Sequence, residues 1–276
     1  MKSQTQVHLS MKQQLEFYLE RFRELYAQVS EDLQACKALE YLIEDYSQFI
    51  LDDTYTTLYH TMDISSAEKA TLTENLAHIT AQCVKVMERM RAQRLLTDCD
   101  SHTGYFDNIE QCIATEFGQF QITQDDKVLL IGSGAYPMTL VQIAHQTGAS
   151  VIGLDIDNEA LAYGKAVVSK LAPQYSIELT NKPLQSLECL REVTYIIFSS
   201  TVAEKYAILE QLYAYTRSDV TIVMRYGNDL KAIFNYPKQA VNATQWCCVE
   251  DIVLTHQIFD IAIYQKVACP GDGYDS

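Results

Sequence analysis

The sequence predicts an α/β protein. An all-α helical domain over residues 1–100 precedes, over residues 101–276, a domain built on a mostly parallel seven-stranded sheet with a terminal hairpin. Three observations predict it. Apolar residues recur at three- and four-residue steps from residue 11 to about 118. Short runs rich in branched residues alternate with helical stretches from residue 127 onward. Two strand-like runs then close the chain with only His256 and Gln257 between them.

The first helix is marked by Leu15, Tyr18, Leu19, Phe22, Leu25, Tyr26 and Val29, which share one apolar face. Leu33, Cys36, Leu39, Leu42, Ile43, Tyr46 and Phe49 mark a second. A longer third opens at Ser65-x-x-Glu68, the spacing of a capping box, and runs through Leu72, Leu76, Ile79, Cys83, Met87 and Met90. Tyr105, Ile109, Cys112, Ile113 and Phe117 indicate a fourth. KVLLI (127–131), SVIGL (150–154), YSIEL (175–179), TYIIF (194–198) and VTIVM (220–224) are the runs expected of a parallel sheet covered on both faces. VEDIVLT and IFDIAIYQKV form the hairpin. No Gly- or Ser-rich linker divides the halves, so they are expected to pack closely.

Composition excludes several classes. A formal net charge of −15 opposes binding to nucleic acid or to an anionic membrane surface, both of which need clustered Lys and Arg. No run approaches the roughly 18 apolar residues of a membrane span, and the charged N-terminus lacks a signal-peptide core. A cytoplasmic location is therefore expected. The eight cysteines show no CxxC pair and read as buried free thiols. The six histidines form no HxxxH or HExxH pattern, so no metal cofactor is expected. His78, one turn before Gln82, is the candidate histidine for a place in the cleft.

The chemistry is carried by the loop after the first strand. In LLIGSGAYPMTL, Gly132 and Gly134 flank Ser133 and permit a tight turn with close backbone approach to a ligand. Pro137 stands where a helix starts. Asp155 ends the next strand about 20 residues on, where an acid accepts ribose hydroxyls. The third glycine of the dinucleotide fingerprint is replaced by Pro137, which weakens the case for NAD and favours S-adenosylmethionine. Five alternating units plus a hairpin is also a layout of Rossmann-type S-adenosylmethionine-dependent transferases. Candidate cofactor contacts are Gly132, Ser133, Gly134 and Tyr136, then Asp155 and Ile156, then Ser199, Ser200 and Thr201 beyond the fourth strand. Arg225 ends the fifth strand and either forks a substrate carboxylate or serves a structural ion pair. Asp155-Ile156-Asp157 is not read as a metal site.

GSGAYPMTL (132–140), GYFDNIE (104–110) and MRYGNDLKAIFNYP (224–237) resemble the nicotianamine synthases. ITAQCVK (79–85), TGASVIGLDID (147–157), IIFSST (196–201) and QIFDIA (257–262) resemble the family's histidine-using, staphylopine-type branch, and the likeness runs from about residue 11 to 266. The resemblance implies transfer of the 3-amino-3-carboxypropyl (aminobutanoyl) arm of S-adenosylmethionine to the α-amine of histidine, D-histidine in that branch. 5′-Methylthioadenosine leaves. It further implies Tyr105 and Glu88 as catalytic groups, Gln82 and Tyr236 on the acceptor side, a homodimer, and a functional link to an opine dehydrogenase. The other readings are a small-molecule methyltransferase and a non-catalytic cofactor-binding protein.

Overall fold

A computed structural model describes residues 10–29, 33–97 and 122–267. The expected fourth helix, with Tyr105, lies outside these residues. Helix α1 (Met11–Gln28) starts with a full capping box: Ser10 Oγ accepts the Gln13 N–H, and the Ser10 N–H donates to Gln13 Oε1. α2 (Leu33–Leu51) follows, then a short α3 (Asp53–His60), which the apolar pattern does not announce, and the long α4 (Ser66–Leu96). At α4 half the capping box forms. Ser65 Oγ accepts the Glu68 N–H, while the Glu68 carboxylate turns to Lys12 on α1.

Seven strands form one sheet in the order β3-β2-β1-β4-β5-β7-β6. β1 (Lys127–Ile131), β2 (Ser150–Leu154), β3 (Ile177–Thr180), β4 (Tyr195–Phe198) and β5 (Thr221–Tyr226) are mutually parallel. β7 (Asp260–Lys266) pairs antiparallel with both β5 and β6 (Trp246–Ile252). Their loop is longer than the two residues expected, and Asp260 closes it by accepting from Lys231 Nζ (2.6 Å) and the Leu254 N–H (2.9 Å). α5 (Met138–Thr147), α6 (Asn158–Leu171) and α7 (Lys205–Tyr215) are the crossovers. Strand order reverses at β1, which lies between β2 and β4, and a ligand crevice opens at such a switch point beyond the strands' carboxyl ends.

The two halves share their interior. One apolar cluster runs from Leu15, Phe22 and Leu39 through Leu76 to Val128, Ile197 and Phe234. Tyr46 is wholly buried in it: its ring lies 6.0 Å from that of Phe234, and its hydroxyl donates to Ile233 O. On the other flank, Arg89 of α4 donates to Asp157 Oδ2 (2.6 Å) and pairs with Glu159 at the start of α6. The acid-to-helix register is thus fixed from both sides, because Asp157 Oδ1 also caps α6 through Glu159 N and Ala160 N. No helix among the described residues is long and apolar enough to cross a membrane.

Cysteine burial departs from expectation in part. All described cysteines are free, and Cys36 and Cys83 are buried, but Cys247 and Cys248 are exposed. They lie on β6, an edge strand exposed on both faces over residues 247–251, so hydrophobicity alone does not bury them. Inside the sheet, Gly153 of β2 leaves no room for a side chain. A Cβ there would stand 2.4 Å from Leu179 Cδ2, 2.7 Å from Leu140 Cδ1 and 2.8 Å from Ser133 Cβ. Gly153→Ala is expected to cost about 1–3 kcal/mol by overpacking, read as a lower urea midpoint.

Candidate active site

The β1 strand ends in a turn that only glycine builds easily. Gly132 (φ +81°) and Gly134 (φ +68°) both occupy the left-handed region. A Cβ on Gly132 would come within 2.6 Å of Val202 and 3.2 Å of Ser199 Cβ, so the loop lies directly against the segment after β4. A Cβ on Gly134 would fall 2.0 Å from Glu88 Oε2. The glycines therefore leave a cradle whose far wall comes from α4.

Asp155 is expected to hold ribose, and the structure gives it a second task. Its Oδ2 accepts the Gly134 N–H (2.8 Å), and its Oδ1 accepts the Asp157 N–H (3.0 Å). Each carboxylate oxygen keeps a further lone pair, so holding the loop and accepting ribose hydroxyls are compatible. Ile156 beside it is 89% exposed. Ser133 is buried, and its Cβ lies 2.8 Å from where a Cβ on Gly153 would stand. Tyr136 is partly buried, and the Arg91 guanidinium of α4 stands 5.6 Å from its ring centre. Pro137 is the N-cap of α5, one position earlier than the first helical turn where proline is most favoured.

Glu88 Oε2 accepts the Ala135 N–H at 3.2 Å, which places a helical-half carboxylate on the glycine turn itself. Burial pushes its carboxyl up to about 8, and the neighbouring Asp155 charge raises it further; the Ala135 N–H, Lys85 and Arg89 oppose the rise. At 100° per residue, Gln82 is turned roughly 120° around α4 from Glu88, so the two do not share a face. Gln82 is partly buried and His78 is exposed.

Beyond β4, Ser199 Oγ and Thr201 Oγ1 are 3.3 Å apart, and the Ser199 N–H donates to Ile131 O. Ser200 is buried, and its carbonyl accepts the Tyr236 N–H (3.4 Å). The Tyr236 backbone is thus tied to this turn; burial, then Glu204 and Glu74, raise its phenol. Arg225 lies at the end of β5, close to α5. It is 4% exposed, donates to Thr139 Oγ1 of α5 (3.3 Å) and stacks its guanidinium 5.0 Å from the Phe259 ring. The loop, Asp155, Glu88, the 199–201 turn and Tyr236 converge on the carboxyl ends of β1, β2 and β4.

Lys205 is the residue that sequence reasoning missed. Written in AEKYAILEQL, it reads as a solvated helix lysine, yet it is wholly buried. Its Nζ donates to Ser200 O and Arg225 O, each at 2.8 Å, and so ties together the ends of β4 and β5. Burial lowers it to about 7 from its ordinary 10.5. The unfolded chain then binds more protons between these values, so this group makes stability rise as pH climbs from about 7 toward 10.5. Chemical denaturation at several pH values should show stability rising more steeply over this range in the wild type than in Lys205→Met. No group of three or more His, Cys, Asp or Glu among the described residues has the arrangement of a metal site.

A Rossmann-type sheet whose glycine turn is faced by a carboxylate from a preceding helical half defines an adenosyl-donor transferase class. The chain belongs to the nicotianamine synthase family, described as "Nicotianamine synthase protein", whose profile matches residues 11–256. It is similar to L-histidine 2-aminobutanoyltransferase of Pseudomonas aeruginosa (strain UCBPP-PA14), at 28% identity over 69% of this chain and 72% of the relative. The enzyme of the same name from Yersinia pestis is 33% identical over 58% of this chain and 60% of the relative. Among solved structures, MtNAS in complex with MTA and tNA matches with a TM-score of 0.77 at 12% identity, covering 92% of this chain and 97% of that one. A mutant of MtNAS in complex with S-adenosylmethionine gives 0.71 at 12% identity, over 91% and 98%. At such identity these two show the fold alone.

Proposed function

We propose that this protein transfers the 3-amino-3-carboxypropyl arm of S-adenosylmethionine to the α-amine of histidine and releases 5′-methylthioadenosine. The observation that carries the proposal is the Glu88 carboxylate on the Ala135 N–H, which sets a proton acceptor where the donor's glycine turn lies. The names of the Pseudomonas and Yersinia relatives support histidine as acceptor and aminobutanoyl as the group moved. Those relatives use L-histidine, so L-histidine replaces the D-enantiomer implied by the resemblance.

In this reading the adenosyl end rests on Gly132, Ser133 and Gly134, with Asp155 at the ribose, Ile156 at the adenine and Tyr136 over the methionine arm. Ser199, Ser200 and Thr201 face the donor from the β4 side. The neutral amine attacks the γ-carbon, the N–C bond forms as the C–S bond breaks, and the electron pair stays on sulfur. Glu88, ionised at that moment, takes the amine proton, with Tyr105 as its partner. Gln82 and Tyr236 shape the acceptor wall, and Arg225 acts there through the β5 end. The product serves an opine-type metallophore pathway through a separate opine dehydrogenase. The enzyme works as a cytoplasmic homodimer, in keeping with its free thiols and with Phe17 and Tyr41 exposed on the helical half. Its helical domain covers residues 1–100 and its donor-binding domain residues 101–276.

The test is mass spectrometry after incubating the protein with S-adenosylmethionine and L-histidine, D-histidine or no acceptor. Methylthioadenosine formed only with histidine is expected. S-adenosylhomocysteine would instead make it a methyltransferase, and tight donor binding without turnover would make it a binding protein.

A further inference from the structure

Two carboxylates meet at the glycine turn, and their hydrogen bonds are unequal. Asp155, at the end of β2, accepts two backbone N–H groups, from Gly134 and Asp157. Glu88, on α4, accepts one, from Ala135. Two like charges packed against a single turn are costly to ionise together. The cations facing Glu88 do not remove that cost. Arg89 is committed to Asp157 and Glu159 of α6, and Lys85 is exposed on α4. Burial is the largest cause of the rise in the Glu88 carboxyl.

The donor of the proposed reaction differs from every protein group around this turn in carrying a fixed positive charge on sulfur. We infer that Glu88 holds a proton while the donor is absent and releases it to solvent when the sulfonium settles on the turn, so the donor itself arms the base. The proton balance is simple: neutral carboxylic acid plus cationic donor gives a carboxylate–sulfonium pair and one proton in the buffer. The consequence for the reaction is order. A histidine amine arriving before the donor meets a protonated carboxyl that cannot accept its proton, whereas one arriving after it meets a carboxylate.

The inference rests on the donor assignment above, and the test separates the two. Isothermal titration of S-adenosylmethionine into the full chain at about pH 6.5, in buffers of different ionisation enthalpy, is expected to show release of about one proton per donor bound. S-adenosylhomocysteine carries the same amino-acid arm without the sulfonium charge, and it is expected to release none. Over about pH 6 to 7.5, affinity for the sulfonium should rise toward tenfold per pH unit relative to the thioether, and Glu88→Gln should abolish that difference. Equal proton release by the two ligands, or an unchanged difference in Glu88→Gln, would overturn the inference and leave the function standing. Absence of any S-adenosylmethionine binding would overturn both. If Glu88→Gln does not fold, the wild-type comparison of the two ligands decides alone.

Discussion

Glu88→Gln is expected to lower turnover by about 10²–10⁴-fold, the range for removing a positioned general base, with a much smaller change in donor affinity near pH 6.5. The amide keeps the length of the side chain and an oxygen able to accept the Ala135 N–H, so the turn should persist. What it cannot do is take a proton from the attacking amine. A stability measurement separates this from simple disruption. The wild-type carboxyl is raised to about 8 from an ordinary 4.5, so the folded state holds the extra proton between these values, and this group's contribution to stability falls as pH rises through that window. Glu88→Gln removes that dependence. Thermal melts should show the variant gaining on the wild type between pH 5 and 8 while remaining nearly inactive. A variant that loses both stability and activity at every pH would mean Glu88 is a strut and nothing more.

Gly134→Ala should be nearly as severe, for a different reason. The residue sits at φ +68°, and the added Cβ would land 2.0 Å from Glu88 Oε2, so both backbone and base must move. Strain of this kind costs roughly 1–3 kcal/mol, and the displaced loop should lower donor affinity and turnover by about 10²-fold. Gly148→Ala is the matched control. Gly148 has φ +76° as the C-cap residue of α5, but its nearest neighbour to a new Cβ is Gln124 at 3.5 Å. It should show a stability loss of about 1 kcal/mol without a change in donor binding, as measured by titration and steady-state kinetics. Equal kinetic damage from both substitutions would remove the special role given to the 134 position.

The sheet was legible from the chain because its strands are contiguous apolar runs bounded by helix patterns. Val128, Leu129 and Leu130, or Ile196, Ile197 and Phe198, are buried on both faces and need no tertiary context to be recognised. The glycine turn was legible for a similar reason, since Gly132 and Gly134 follow a strand at the spacing that a positive φ demands. Less readable was anything decided by contacts between distant segments. Lys205 looks like a surface residue because local sequence cannot show that the carbonyls of Ser200 and Arg225 come to it. The neighbours of Arg225, Thr139 and Phe259, come from distant segments and cannot be read locally. Asp155 offered ribose binding by position, while its grip on Gly134 N–H depends on the fold closing. α3 escaped notice because DTYTTLYH buries Tyr59 and leaves most of its other residues in partial or full contact with solvent.

In the proposed reaction the carbon chain, not the methyl group, leaves the sulfonium and ends on the histidine amine. It is tested most directly with S-adenosylmethionine carrying ¹³C in the aminocarboxypropyl arm and deuterium in the methyl, incubated with L-histidine and analysed by mass spectrometry and NMR. The expected result is ¹³C bonded to the histidine α-nitrogen and deuterium retained in methylthioadenosine. Deuterium on the acceptor, with ¹³C left in S-adenosylhomocysteine, would contradict it.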